Sequence, residues 1–149
     1  MMSDAAWEME YSSETAADLA FAWAYMSDIS NWDDPPAQFE LDGPFADGTQ
    51  GTTRMPGQAD RHWRLRDVVP RRSYTVEFAL EGGTFLCRWV FSELPNGRTR
   101  LTQRIALEGE NASQYAADVE QAMGKTLGPG MERIALRIGE ASRAARKEQ

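Results

Sequence analysis

The stretch from Ala37 to Glu108 constrains this chain most, because it is built of short apolar and polar alternations separated by turn residues. Neighbouring antiparallel strands satisfy such a pattern. Phe39 and Leu41 precede Gly43-Pro44, Gly51 to Met55 precede Pro56-Gly57, and Trp63, Leu65 and Val69 precede Pro70. Tyr74, Val76, Phe78 and Leu80 lead to Gly82-Gly83, Phe85 to Leu94 lead to Pro95-Asn96-Gly97, and Leu101, Gln103, Ile105 and Leu107 close the series. Six strands are predicted there, and the alternation Trp7, Glu8, Met9, Glu10, Tyr11 adds a seventh upstream. Successive strand side chains point to opposite faces, so the apolar members share one side that something must cover.

Helical segments supply the cover. Ser12 and Ser13 are N-cap residues with Glu14 placed for the positive end of a helix dipole, and Leu19, Trp23 and Met26 recur at helical spacing, which predicts a helix over Glu14 to Met26. Asp28 caps one further turn through Trp32, before Asp33-Asp34-Pro35-Pro36 ends it. After Gly109, Tyr115, Val119, Ala122 and Met123 form one apolar stripe, and Met131, Ile134, Ala135, Ile138 and Ala141 form a second. Gly128-Pro129-Gly130 is expected to separate a lead-in helix from a longer terminal one, whose opposite face (Glu132, Arg133, Arg137, Glu140, Arg143) is solvated and whose end, Arg146 to Gln149, frays. The sum is an α+β domain, with two short helices after strand one and a curved antiparallel sheet of about seven strands against a long C-terminal helix.

A chain of 149 residues is one domain's worth, taken here as 1–149, and it buries enough surface to need neither metal nor disulfide. Its net charge of −7 argues against a nucleic-acid partner or an anionic lipid surface. Met1 to Met9 has neither a basic start nor a long apolar run, and no run of ~18 apolar residues occurs elsewhere, so neither export nor a membrane span is expected. With Cys87 as its single cysteine, the chain fits a reducing compartment, and the cytoplasm is expected.

Several segments in this order carry a resemblance: Ser12-Ser13, then Asp28-Ile29-Ser30-Asn31-Trp32, then Leu41-Asp42-Gly43-Pro44-Phe45 followed by Gly48 and Gly51, then Leu65 to Arg72, then the amphipathic final helix. Over nearly its whole length the chain resembles the START-related helix-grip superfamily (SRPBCC), and within it the bacterial polyketide cyclase/dehydratase-like proteins. That resemblance implies a sheet wrapped around the C-terminal helix and a deep hydrophobic cavity between them. It carries over a scaffold and no catalytic residue, since members include binding proteins, lipid carriers, cyclases and chaperone activators.

Alternation places Trp63, Leu65, Val76, Phe78, Phe85, Trp89, Phe91, Leu101 and Ile105 on the inner face, while Arg64, Arg88, Arg100 and Arg104 face water. Together with Arg61, Arg66, Arg71, Arg72 and Arg98, these arginines read as a solvated exterior paired with Glu77 and Glu93. Four polar residues fall on the apolar phase: Asp67, Tyr74, Cys87 and Gln103. An inward Asp67 would have a raised pKa and serve as a base, whereas a bulge near Pro70 would turn it out to solvent. Tyr74 and Gln103 are candidate hydrogen-bonding groups for a ligand, and Cys87 reads as a small buried apolar residue. His62, the one histidine, points away from the Trp63 face, and no metal or nucleotide fingerprint occurs, so no cofactor is expected.

The expected ligand site comprises Trp63, Leu65, Tyr74, Val76, Phe78, Phe85, Cys87, Trp89 and Gln103 on the sheet, with Leu127, Met131 and Ala135 on the helix. The leading expectation is binding of an apolar or aromatic small molecule, lipid- or polyketide-like, by a monomer or homodimer. Two alternatives stand beside it. One is a cyclase or dehydratase acting in the same cavity, with Asp67 and Tyr74 as catalytic candidates, and the other is a protein that docks a chaperone or regulator through its arginine-rich face.

Overall fold

In the computed structural model, which describes residues 7–32 and 34–147, one antiparallel sheet holds all seven expected strands. They are β1 (Trp7–Thr15), β2 (Gln38–Leu41), β3 (Gln50–Arg54), β4 (Arg61–Val69), β5 (Ser73–Leu80), β6 (Gly83–Glu93) and β7 (Thr99–Glu108). Their spatial order is β1-β7-β6-β5-β4-β3-β2, a meander from β2 to β7 with β1 returning to the edge beside β7. The turns form where their residues predict. Gly97 takes φ 79° between β6 and β7, a left-handed conformation natural to glycine, and Asn96 accepts a hydrogen bond from the Arg98 amide.

Helix α1 (Leu19–Met26) and a single helical turn at Ile29–Asn31 connect β1 to β2, and α2 (Ala112–Met123) and α3 (Leu127–Lys147) follow β7. The Ile29–Asn31 turn is capped as expected, with the Asp28 carboxylate accepting from the Ser30 amide. Helix α3 lies chiefly along β1, and the two enclose Leu101, Ile105 and Ile138 in the core.

Two boundaries differ from expectation. Ser12 and Ser13 do not open α1; they continue β1, paired with Thr102 and Leu101 of β7, and the helix begins later behind an Asp18 cap that accepts from Phe21 N at 2.8 Å. The buried hydroxyls are satisfied elsewhere: Ser13 Oγ donates to the Met131 carbonyl at 3.2 Å and Thr15 Oγ1 to that of Ala135 at 2.8 Å. Likewise, Gly128-Pro129-Gly130 does not separate α2 from α3. It lies within the first turn of α3, where proline's missing N–H leaves no intrahelical bond unmade, and the chain breaks instead between Met123 and Leu127. The expected behaviour of Glu148 and Gln149, and that of the leading residues Met1 to Ala6, falls outside the described residues.

The outer face is polar, as predicted. Arg64 and Arg66 of β4 both pair with Glu77 of β5, and Arg104 pairs with Glu8 across β7 and β1. Partial burial pushes the Glu77 carboxyl up, but hydrogen bonds from Arg66 and Arg64 outweigh it and hold the group below its ordinary value. Among the described residues, no helix is long and apolar enough to cross a membrane.

Candidate functional site

A cavity of about 390 Å³ lies between the concave face of the sheet and the first half of α3. That volume falls within the usual range for small-molecule sites. Trp63 of β4, Tyr74, Val76 and Phe78 of β5, Cys87 and Trp89 of β6, and Gln103 of β7 form the sheet wall. Met123 of α2 and Leu127, Met131 and Ile134 of α3 face them. Tyr25, Met26, Asn31, Trp32, Phe39 and Thr53 close one side, and Asp34, Thr126, Gly130, Arg133 and Arg137 complete the lining.

Strand register accounts for the sheet wall. Tyr74 is opposite Trp89 and Trp89 opposite Gln103, while in the next inward row Val76 is opposite Cys87. Nine of the twelve expected site residues therefore reach the cavity: Trp63, Tyr74, Val76, Phe78, Cys87, Trp89, Gln103, Leu127 and Met131. Leu65, Phe85 and Ala135 share the inward phase but not the cavity. Leu65 is wholly enclosed in the core, Phe85 packs on Phe78 with ring centroids 5.7 Å apart, and Ala135 lies on the side of α3 that receives Thr15.

Asp67 is outside the site. The register between β4 and β5 shifts between Arg66 and Val69, Asp67 takes φ 51°, and its side chain turns to solvent. A bulge reverses the alternation that had placed it inward. His62 is exposed as expected, its Nδ1 3.3 Å from Thr52 Oγ1. Of the residues expected on the solvated side of α3, Arg133 is exposed as expected but also borders the cavity, and Arg137, half-buried, borders it too.

Aromatic rings dominate the site. Trp63, Trp32, Tyr74 and Trp89 stack in sequence, with centroids 5.6, 6.3 and 6.2 Å apart and planes within 25°, 20° and 14° of each other. Trp32 reaches this row from the Ile29–Asn31 turn, held by its Nε1 donating to the Met26 carbonyl at 2.8 Å. Trp63 is seated by a donation from its Nε1 to Thr53 Oγ1 at 3.0 Å and by Gly51, its partner across β3 and β4. A Cβ on Gly51 would come within 2.3 Å of the Trp63 ring. Gly51→Ala should therefore expel the indole and lower stability by roughly 2–3 kcal/mol, the usual scale for overpacking, which chemical denaturation would measure. Unchanged stability would mean that Trp63 does not occupy this seat.

Two titratable groups, Tyr74 and Cys87, lie on the sheet wall of the cavity, and both hold their protons. Burial pushes the Tyr74 phenol well above its ordinary value, and nearby Cys87 adds to the rise. Burial likewise pushes the Cys87 thiol up to about 12, despite a side-chain hydrogen bond from Gln103 that acts the other way. Neither is a base near neutral pH; each can offer a polar contact.

The sequence profile of a family described as polyketide cyclase / dehydrase and lipid transport matches residues 6–139. No curated protein matches the sequence. Among solved structures, norcoclaurine synthase from Thalictrum flavum aligns with a TM-score of 0.66 at 15% identity, covering 91% of this chain and 85% of that one. The same enzyme in complex with dopamine and hydroxybenzaldehyde gives 0.62 at 13%, covering 78% and 76%. A protein from Nitrosomonas europaea gives 0.65 at 12%, covering the whole of both chains. At such identities the likeness is one of fold.

Proposed function

Because the chain belongs to the polyketide cyclase / dehydrase and lipid transport family, within the START-related helix-grip superfamily, we propose that it binds an apolar or aromatic small molecule between its sheet and its C-terminal helix. The observation that carries this reading is the cavity itself, of about 390 Å³ and walled by Trp32, Trp63, Tyr74, Trp89, Phe39 and Phe78. Apolar concave sites with a few polar groups are where small molecules bind. Methionines 26, 123 and 131 border the space, and their flexible thioethers let it adapt to differing shapes.

Binding is favoured over proton-transfer catalysis by the titration state of the wall. Tyr74 and Cys87 are both held protonated, and among the described lining residues the one carboxylate, Asp34, is exposed. A cyclase or dehydratase would need a group able to accept a proton near neutral pH. Supporting the aromatic side of the reading, a solved structure of the same fold holds dopamine and hydroxybenzaldehyde, two small aromatic molecules.

The test is native mass spectrometry of gently purified protein, followed by organic extraction and a titration with the apolar dye Nile red. Saturable one-to-one dye binding, displaced by whatever the extract contains, is the expected result. A clean apo mass together with no saturable dye binding would refute the proposal.

A further inference from the structure

Apart from Thr53 of β3, whose hydroxyl accepts the Trp63 Nε1 hydrogen bond, the sheet wall of the cavity is apolar except along one strip, where Tyr74, Cys87 and Gln103 lie on adjacent strands. Gln103 spends its side chain in part on Cys87. Tyr74 is different. Its side chain is 1% exposed and surrounded by the rings of Trp23, Trp32, Phe45, Trp89 and Phe91. Its hydroxyl nevertheless makes no hydrogen bond to any described residue, although every fully enclosed side-chain polar atom among those residues has a partner. The phenol oxygen is therefore not sealed among the rings; it opens onto the cavity that Tyr74 lines.

A hydroxyl taken from bulk water and left unmatched is unfavourable, and phenylalanine would fill the same ring position without that penalty. Nothing among the described residues explains the oxygen. On the reading that the cavity takes an aromatic small molecule, we propose that Tyr74 is a specificity-determining residue whose O–H donates to an acceptor oxygen, such as a ring-conjugated carbonyl, on the bound ligand. The high phenol pKa keeps the group a donor throughout the neutral range. The aromatic rings then supply affinity for any flat apolar body, while Tyr74 separates oxygenated from purely hydrocarbon ligands. Such discrimination is strong at a buried polar group because the wrong ligand leaves it unpaired.

A matched pair of probes tests this: acetylnaphthalene, which has the carbonyl, and isopropylnaphthalene, which has the same shape without it. Quenching of Trp32, Trp63 and Trp89, which line the cavity, reports binding. In the wild-type protein the ketone should bind about tenfold tighter, the scale of one buried hydrogen bond. Tyr74→Phe should weaken the ketone by about that factor, leave the hydrocarbon unchanged or tighter, and keep the melting temperature at or above the wild-type value. Equal weakening of both probes, a ketone preference that survives Tyr74→Phe but disappears in Gln103→Leu, or a marked loss of stability in Tyr74→Phe would each overturn the assignment. If both probes bind wild type and variant alike, the cavity reading stands and the role of Tyr74 falls. If neither probe binds the wild type, both fall together.

Discussion

Alkylation of Cys87 at about pH 8 should run about a thousandfold more slowly in the folded protein than in denaturant, because the thiolate is the reactive species. The thiol is pushed from its ordinary value near 9 to about 12 in the folded chain. At that pH the thiolate fraction falls from roughly one in ten to roughly one in ten thousand. Iodoacetamide labelling followed by intact-mass measurement reads the ratio directly, since the chain has one cysteine. Rapid labelling of the native protein would show that the thiol is not desolvated against Gln103 and the aromatic wall. The same shift sets a sign for stability. The folded state holds the proton more tightly than the unfolded one, so the stability that Cys87 contributes is complete below about pH 9 and declines as pH rises toward 12.

The second large effect concerns Trp89. It is 7% exposed, stacked on Tyr74 and also part of the cavity wall, so it belongs to core and site at once. Trp89→Ala should lower stability by about 3–5 kcal/mol, the range for removing a buried aromatic, and should weaken Nile red binding by more than about tenfold where the variant is still folded. Phe78→Leu, at a half-buried position of the same wall, should weaken the dye with a smaller loss of stability. Dye affinity that stays at the wild-type value in both variants would mean that the ligand does not touch this wall.

The sheet was legible because its information is local. Most strand runs alternate, and from β2 onward they are bounded by Gly, Pro or Asn-Gly, so strand number and much of the inward phase follow from neighbours in the chain. Errors arose where a residue's local chemistry was satisfied by a distant partner. Ser12 and Ser13 have the chemistry of helix caps, yet β7 and α3 claim them. Pro129 has the chemistry of a helix breaker, which does not apply within a first turn. Asp67 obeyed the alternation until a bulge reversed it.

Most of the sheet wall of the cavity was likewise readable, but its side wall was not. Trp32 comes from an isolated turn and Phe39 from a four-residue strand, segments too short for periodicity to assign a face. Their apolar character near Pro35-Pro36 was the available signal. Leu65, Phe85 and Ala135 show the converse: sharing a face does not mean sharing a cavity, because the void occupies only part of that face.

The two hydroxyl donations from β1 to α3 also restrict how the molecule can adapt. Ser13 and Thr15 project from the same side of their strand, and their acceptors, Met131 and Ala135, are one helical turn apart. Sliding α3 along β1 or rolling it would break both bonds together, so strand and helix mesh like a rack with a pinion that is locked. The helix is therefore a fixed wall, and on the proposed reading a wider guest would gain room by rotamer changes at Met26, Met123 and Met131, which line the cavity. On the proposed reading, adaptation to guest shape would therefore fall to the lining side chains and to the segment joining the first helix to the second strand, and not to a movement of α3.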